Sequence, residues 1–349
     1  MSPGMVGKHS GNYHETSDSG GILSHTPAIT TSNMSEPVES QVTPPVVPEA
    51  PSVAAVDPAG EPAQEEEPQN ALTTKFTEEE RTALKEFRAS IFLSSLYRIT
   101  KLPEIFKAAY SPDDAAAEPN SITLWGVTID PKHPAQDARV SVILMKFLRA
   151  RELKVSEAQT MLTATLRWRD EMKIDEILAE EFPDKIFGGV GRNFGHDKEG
   201  RPVTYNIYGG DNDVKAVFGD VQRFIRWRIA LMENSIKLLD FETIDQMLQI
   251  HDYEGVSMTS RDANQKAAAS EATSIFQNHY PEFLARKFFI NVPTLLTWMF
   301  WFFKSILSAK TFAKMSVVGT GKNTISAALL PSIDAKQLPQ RYGGEAEAF

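Results

Sequence analysis

Residues 244–253, Ile244-Asp245-Gln246-Met247-Leu248-Gln249-Ile250-His251-Asp252-Tyr253, read as a strand ended by Glu254-Gly255. Helix-length segments flank it at 220–239 and 260–278. Upstream, residues 201–208 form a second strand, entered from the turn His196-Asp197-Lys198-Glu199-Gly200. Downstream, 287–292 is a short buried strand and 312–318 a last one. Strands separated by helices of this length predict βαβ units, hence an α/β domain with a largely parallel sheet. That pattern starts near Asp175. Before it, Thr77-Glu78-Glu79-Glu80 marks a helix start, and Leu84, Phe87, Ile91, Leu93 and Leu96 follow at helical spacing. After the break Ser111-Pro112-Asp113-Asp114, a second helical block runs over 138–172.

The first 70 residues differ in kind. They hold one basic side chain, Lys8, against ten acidic ones, with ten of the 21 prolines and a single aromatic, Tyr13. Such a segment cannot bury enough apolar surface to offset the entropy of ordering and is predicted to be disordered. The expected organisation is an acidic tail (1–70), a helical lobe (71–174) and an α/β domain (175–349). Of the formal charge of -10, little belongs to the folded part: removing the tail's charges leaves 35 basic and 36 acidic residues over 71–349. No basic stripe exists to displace counterions, so nucleic acid is not an expected partner. The absence of cysteine excludes disulfides, zinc-thiolate sites, iron–sulfur clusters and thiol catalysis. No charged start followed by an apolar stretch marks a secretory signal.

Two glycine-rich stretches fail as phosphate loops. In Val318-Gly319-Thr320-Gly321-Lys322-Asn323 no Ser or Thr follows the lysine, and in Gly188-Gly189-Val190-Gly191 the third glycine of a dinucleotide loop is Phe194; both read as turns. Neither Gly-x-Ser-x-Gly nor His-Glu-x-x-His occurs, and no nucleophile–base constellation is legible, so an enzyme is not expected. Residues 292–303 carry no charge but fall short of the ~20 needed to span a bilayer. Trp298, Met299, Phe300, Trp301, Phe302 and Phe303 would point round all faces of a helix over 295–307. Such a helix needs apolar material on both sides, protein on one and a ligand or membrane on the other.

Side chains alternate across a strand, so Met247, Gln249, His251 and Tyr253 share one face. An imidazole and a phenol then stand one pleat apart near the carboxyl end of a parallel strand, where α/β folds bind ligands. Two satisfied core side chains are the plain alternative. If unsatisfied, each would cost about 1–3 kcal/mol on a wall built for apolar chains.

Four motifs occur in order: Phe147-Leu148-Arg149-Ala150-Arg151; Gly200-Arg201-Pro202-Val203; His279-Tyr280-Pro281-Glu282 through Ile290-Asn291-Val292-Pro293; and Leu338-Pro339-Gln340-Arg341-Tyr342-Gly343-Gly344. Over 138–344 the chain resembles the CRAL-TRIO superfamily, and within it the fungal phosphatidylinositol transfer proteins. The resemblance implies a helical amino-terminal lobe, a mostly parallel sheet flooring a lipid cavity, and an aromatic gate helix, which suits 295–307. It implies an inositol-phosphate site at Glu282 and Lys314, the lysine neutralising the lipid phosphate and the carboxylate accepting inositol hydroxyls. Met247 and Gln249 stand where the family's choline-lipid site has Ser and Thr, so phosphatidylcholine transfer is not expected; His251 and Tyr253 continue the same row. That row resembles an atypical, haem-binding branch of the family. Carried over by position, Tyr253 is the axial ligand of a haem b iron and His251 its neighbour. Arg226 and Lys287 are the partners of the propionates, and Tyr205 an additional pocket contact. Phenolate is a hard anionic base suited to ferric iron. The resemblance thus implies a carrier of phosphatidylinositol that also holds haem, the two ligands competing for one cavity. The alternative is a protein mainly of haem handling or oxidant response. It also implies cytoplasmic residence with transient peripheral attachment to endoplasmic reticulum or microsomal membranes.

Overall fold

The protein is described here from a computed structural model over residues 67–96, 121–130, 133–256, 263–292 and 309–349. The expected disordered tail (all but its last residues) and the expected gate helix over 295–307 lie outside the described residues.

Helix α1 (Glu78–Leu96) begins with a reciprocal cap. Thr77 Oγ1 accepts from the Glu80 amide at 3.2 Å, and Glu80 Oε2 accepts from the Thr77 amide at 3.1 Å. A hairpin of β1 (Ile122–Leu124) and β2 (Val127–Ile129) follows, turning through Trp125 and Gly126, both at positive φ. Two three-residue strands give no readable alternation, which is why sequence periodicity does not disclose them. The expected single block over 138–172 is two helices, α2 (Ala138–Arg149) and α3 (Val155–Met172), broken where Glu152 and Leu153 adopt φ of 52° and 62°. Ser141 through Leu148 are all buried, so α2 is a core helix.

The α/β part runs α4 (Ile174–Ala179), α5 (Asp184–Phe187), β3 (Gly191–His196), β4 (Pro202–Ile207), α6 (Val214–Phe218), α7 (Val221–Ile236), β5 (Met247–Asp252), α8 (Ala263–His279), β6 (Leu284–Ile290), α9 (Ala309–Ala313), β7 (Met315–Val317) and α10 (Lys322–Leu329). The sheet order is β3-β4-β5-β6-β7; β3 is antiparallel to β4 and the other pairs are parallel. The mostly parallel α/β sheet expected from the sequence is present. Strand β3 was not expected, since its glycine and polar residues read as turn. Gly191 opens it because a Cβ there would stand 2.6 Å from Leu231 and 2.8 Å from Trp227 of α7. The last expected strand divides into α9 and β7, leaving Lys314 between them.

Alternation divides the sheet. On one face Val203, Tyr205, Ile207, Leu248, Ile250, Phe288 and Ile290 pack under Ile325, Leu329, Leu338 and Tyr342. On the other, Thr204 Oγ1 meets Ser235 Oγ of α7 at 3.1 Å and Gln249 faces Met232 of α7. The helical part joins the sheet through a core that includes Phe87, Phe147, Leu148, Leu162, Met247, Tyr280 and Phe283.

Lys146 of α2 is the polar tie between them. Its side chain is 1% exposed, and its Nζ donates to Asp245 Oδ2 at 2.8 Å, to the Asp245 carbonyl at 2.6 Å and to the Glu282 carbonyl at 3.1 Å. Burial pushes its pKa down, while Asp245 opposes that. Removing one partner of a buried pair strands the other, at roughly 3 kcal/mol or more. Asp245→Ala is therefore expected to lower unfolding free energy in urea by about 3 kcal/mol, with the double variant Lys146→Met/Asp245→Leu recovering most of the loss.

Candidate ligand-binding site

The parallel register sets Asn206 beside His251, and Gln249 beside Lys287. His251 is buried on the face toward α7, and the rings of Tyr208, Tyr253 and Phe289 surround it. Centroid separations are 5.8 Å for Tyr208–His251, 5.6 Å for Tyr208–Tyr253 and 5.5 Å for His251–Phe289. Tyr253 lies one residue past β5, its amide bonded to the Ile290 carbonyl at 3.1 Å. The turn that follows packs against Gly209, where a Cβ would stand 1.6 Å from the Glu254 carbonyl oxygen; only glycine allows that approach.

Two cations point into this group. Arg228 of α7 is 5% exposed and lies 5.1 Å over the Phe276 ring. Lys287 of β6 holds its Nζ 5.1 Å over the Phe289 ring. Neither cation side chain makes a hydrogen bond or ion pair with a described residue, nor do the Tyr208 and Tyr253 hydroxyls. Burial, then Lys287 and Arg228, push the His251 pKa well below its ordinary value, so the imidazole is neutral. Its Nε2 lies 3.3 Å from Asn206 Nδ2, and Asn206 Oδ1 is buried without a partner. Burial also raises the Tyr253 pKa, with Tyr208 adding to the rise and Arg228 opposing it.

Two residues expected in this pocket are elsewhere. Tyr205 pairs in register with Ile250, on the opposite face of the sheet, stacked on Tyr342 at 5.7 Å and edge-on to Phe349 at 5.1 Å. The phenol on the pocket side is Tyr208, three residues on and of opposite strand parity. Arg226 pairs with Glu180 at 2.6 Å on another side of α7. Arg228 shares a stripe with Phe224 and Met232, four residues either way, and this stripe faces the sheet. Counting parity from Tyr253 across β4, and turns from Met232, is the signal that would have found Tyr208 and Arg228.

A second polar cluster surrounds Glu282, which precedes β6 at φ 54°. Its Oε2 pairs with Lys314 Nζ and its Oε1 with Lys310 Nζ, both at 3.0 Å. Burial raises the Glu282 pKa but the two lysines more than offset this, and the net position is below the ordinary value. Lys310, unforeseen in the sequence, is one helical turn before Lys314. Glu282 lies eight residues before Ile290, so roughly 20 Å of β6 separates this cluster from Tyr253.

Lys287 gives a test that needs no ligand. Burial, then Arg228, lower its pKa to about 7 from the ordinary 10.5. Between those values the unfolded chain binds a proton that the folded one does not, so the wild type gains stability from this group as pH rises from about 7 toward 10. Lys287→Met should be the more stable protein at pH 7 in denaturant unfolding, with the difference shrinking toward pH 10.

Residues 187–344 match the CRAL/TRIO domain and residues 83–164 the CRAL/TRIO N-terminal domain. The phosphatidylinositol transfer protein SFH5 of Meyerozyma guilliermondii is 32% identical over 331 residues, covering 89% of this chain and 90% of that protein. The phosphatidylinositol transfer protein sfh5 of Sclerotinia sclerotiorum is 36% identical over 263 residues, covering 71% of this chain. The chain spans 60% of that protein's length, and 57% and 51% of two further sfh5 relatives. A crystal structure titled Sfh5 superposes with a TM-score of 0.61 at 27% identity, over 79% of this chain and 90% of the other. With its helical lobe, five-stranded sheet and these matches, the chain belongs to the CRAL/TRIO family.

Proposed function

We propose that the protein is a non-enzymatic carrier of phosphatidylinositol between membranes that does not transfer phosphatidylcholine and that holds haem b in the same cavity. The observation that carries the haem part is the pair Arg228, buried, and Lys287, half-buried, which have no counter-ion among the described residues and lie near the phenols of Tyr208 and Tyr253. Two neighbouring cations without a described counter-ion favour an anionic occupant. The donor set supports the same reading. Among the described residues no group of three His, Cys, Asp or Glu could hold a bare metal ion. A phenol and an imidazole suffice only where a macrocycle supplies the other ligands.

Within this reading Tyr253 would hold the iron as phenolate, and Arg228 and Lys287 would meet the propionates, Arg228 taking the place first expected of Arg226. Bound haem b supplies ferric iron, a hard and redox-active acid. The chain supplies the rest. Burial holds Tyr253 protonated until a strong cation arrives, and Arg228 favours the phenolate once it forms. His251 stays neutral and is steadied at Nε2 by Asn206.

Support for lipid carriage comes from the sfh5 relatives and from Glu282 with Lys314, a carboxylate for inositol hydroxyls and an ammonium for the phosphodiester. The two places of the choline-lipid site's Ser and Thr carry Met247 and Gln249 instead of small hydroxyls. We place the protein in the cytoplasm with transient peripheral attachment to endoplasmic reticulum or microsomal membranes. Lipid and haem compete for the cavity's volume.

An absorbance spectrum tests the haem part. Protein purified from haem-replete cells is expected to show a Soret band that Tyr253→Phe shifts strongly and Arg228→Ala weakens, whereas colourless protein would refute haem binding. Vesicle transfer tests the lipid part: Lys314→Ala should lose most phosphatidylinositol transfer, and phosphatidylcholine transfer should be absent in every variant.

A further inference from the structure

We propose that Lys310 is a second headgroup cation, which with Lys314 clamps the lipid phosphodiester and sets the site's preference for a singly charged inositol lipid. This rests on the headgroup reading of Glu282 and Lys314. The geometry around Glu282 carries it. One lysine takes each carboxylate oxygen, both at 3.0 Å, and the two lysines stand one turn apart at the start and just past the end of α9. The Glu282 backbone is pinned separately, its carbonyl accepting from Lys146 Nζ at 3.1 Å and from Gln246 Nε2 at 3.2 Å.

Charge balance singles out Lys310. Lys146 is neutralised by Asp245, and Arg149 by Glu80 through bonds of 2.7 and 3.1 Å. Glu282 can neutralise only one of its two lysines. Among the described residues the cluster therefore keeps one surplus positive charge. Lys310 is the arm free to deliver it, being 58% exposed against 22% for Lys314. A phosphodiester brings one negative charge and balances the cluster. An inositol lipid with an added phosphomonoester brings about 1.5–2 more, which the cluster cannot balance. As the lysines turn to phosphate, the Glu282 carboxylate is released to accept inositol hydroxyls, so one set of groups serves both the empty and the loaded state.

Transfer of labelled phosphatidylinositol between phosphatidylcholine vesicles tests this with Lys310→Ala, Lys310→Arg and Lys314→Ala. Lys310 is exposed, so its truncation should leave the thermal unfolding midpoint near wild type. The expected result is a loss of about three- to tenfold for Lys310→Ala, near-complete rescue by Lys310→Arg, and a larger loss for Lys314→Ala. The deficit of Lys310→Ala should also narrow as salt screens the exposed charge. Unchanged transfer by Lys310→Ala beside a loss in Lys314→Ala overturns the second cation and leaves the headgroup site standing. Unchanged transfer in both overturns the headgroup site itself. A wild type that moves phosphatidylinositol 4-phosphate as fast as phosphatidylinositol overturns the charge-matching claim.

Discussion

A parallel strand presents its side chains to two faces in turn, and β5 serves opposite ends with the two. Leu248, Ile250 and Asp252 face a closed core; Gln249, His251 and Tyr253 face the helix α7. The rest of the site depends on that division, because a one-residue slip would bury the imidazole under α10 and turn Asp252 toward Arg228 and Lys287. The register is pinned from both sides, by β4 pairing through Val203–Ile207 and by β6 pairing through Leu284–Ile290.

Polar groups on the two faces are treated differently. Asp252 is fully buried and saturated: it accepts from Tyr342 Oη at 2.8 Å, from Asn291 Nδ2 at 2.7 Å and from the Glu254 amide at 2.9 Å, with Arg341 at 3.4 Å. That is how a chain stabilises a charge it intends to keep inside. Arg228 and Lys287, on the other face, have no such counter-ion among the described residues. Desolvation without compensation is costly at any reasonable interior dielectric, and on the proposed reading that contrast marks the two cations as groups for an anionic partner. The network at Asp252 also accounts for the Arg341-Tyr342 motif, which fastens the carboxyl-terminal segment behind the site.

The parallel sheet, the helix start at Thr77 and the shared face of His251 and Tyr253 were legible because each rests on local periodicity or an end signal; Glu282 and Lys314 were reached through an ordered motif, but not the ion pair between them. Strands β1 to β3 were not: two are three residues long, and β3 begins at a glycine chosen for its contact with α7 rather than for strand propensity. The errors at Tyr205 and Arg226 share a cause. Motif position locates a residue along an element, while facing depends on the element's phase, and a shift of two or three residues changes the face. Tyr205 gives a physical sign of its core role, its hydroxyl being buried without any partner between aromatic rings. Lys310 escaped notice because an exposed lysine has no pattern until its carboxylate is placed.

The two polar clusters also differ in how they wait. The one at Glu282 carries its own counter-ion, so it is stable when empty and a lipid need only exchange one acceptor for another. The one at Tyr253 has no anion among the described residues, and burial lowers the proton affinity of Lys287 there. On the proposed reading an anionic occupant would regain that energy and be held tightly, whereas exchange at Glu282 would be nearly balanced. Since strand length separates the clusters, they do not contend for the same polar groups. If the chain holds both ligands as proposed, competition between a headgroup-anchored lipid and a haem would come down to the space acyl chains need beside Tyr253, and a lipid with shorter chains should compete less.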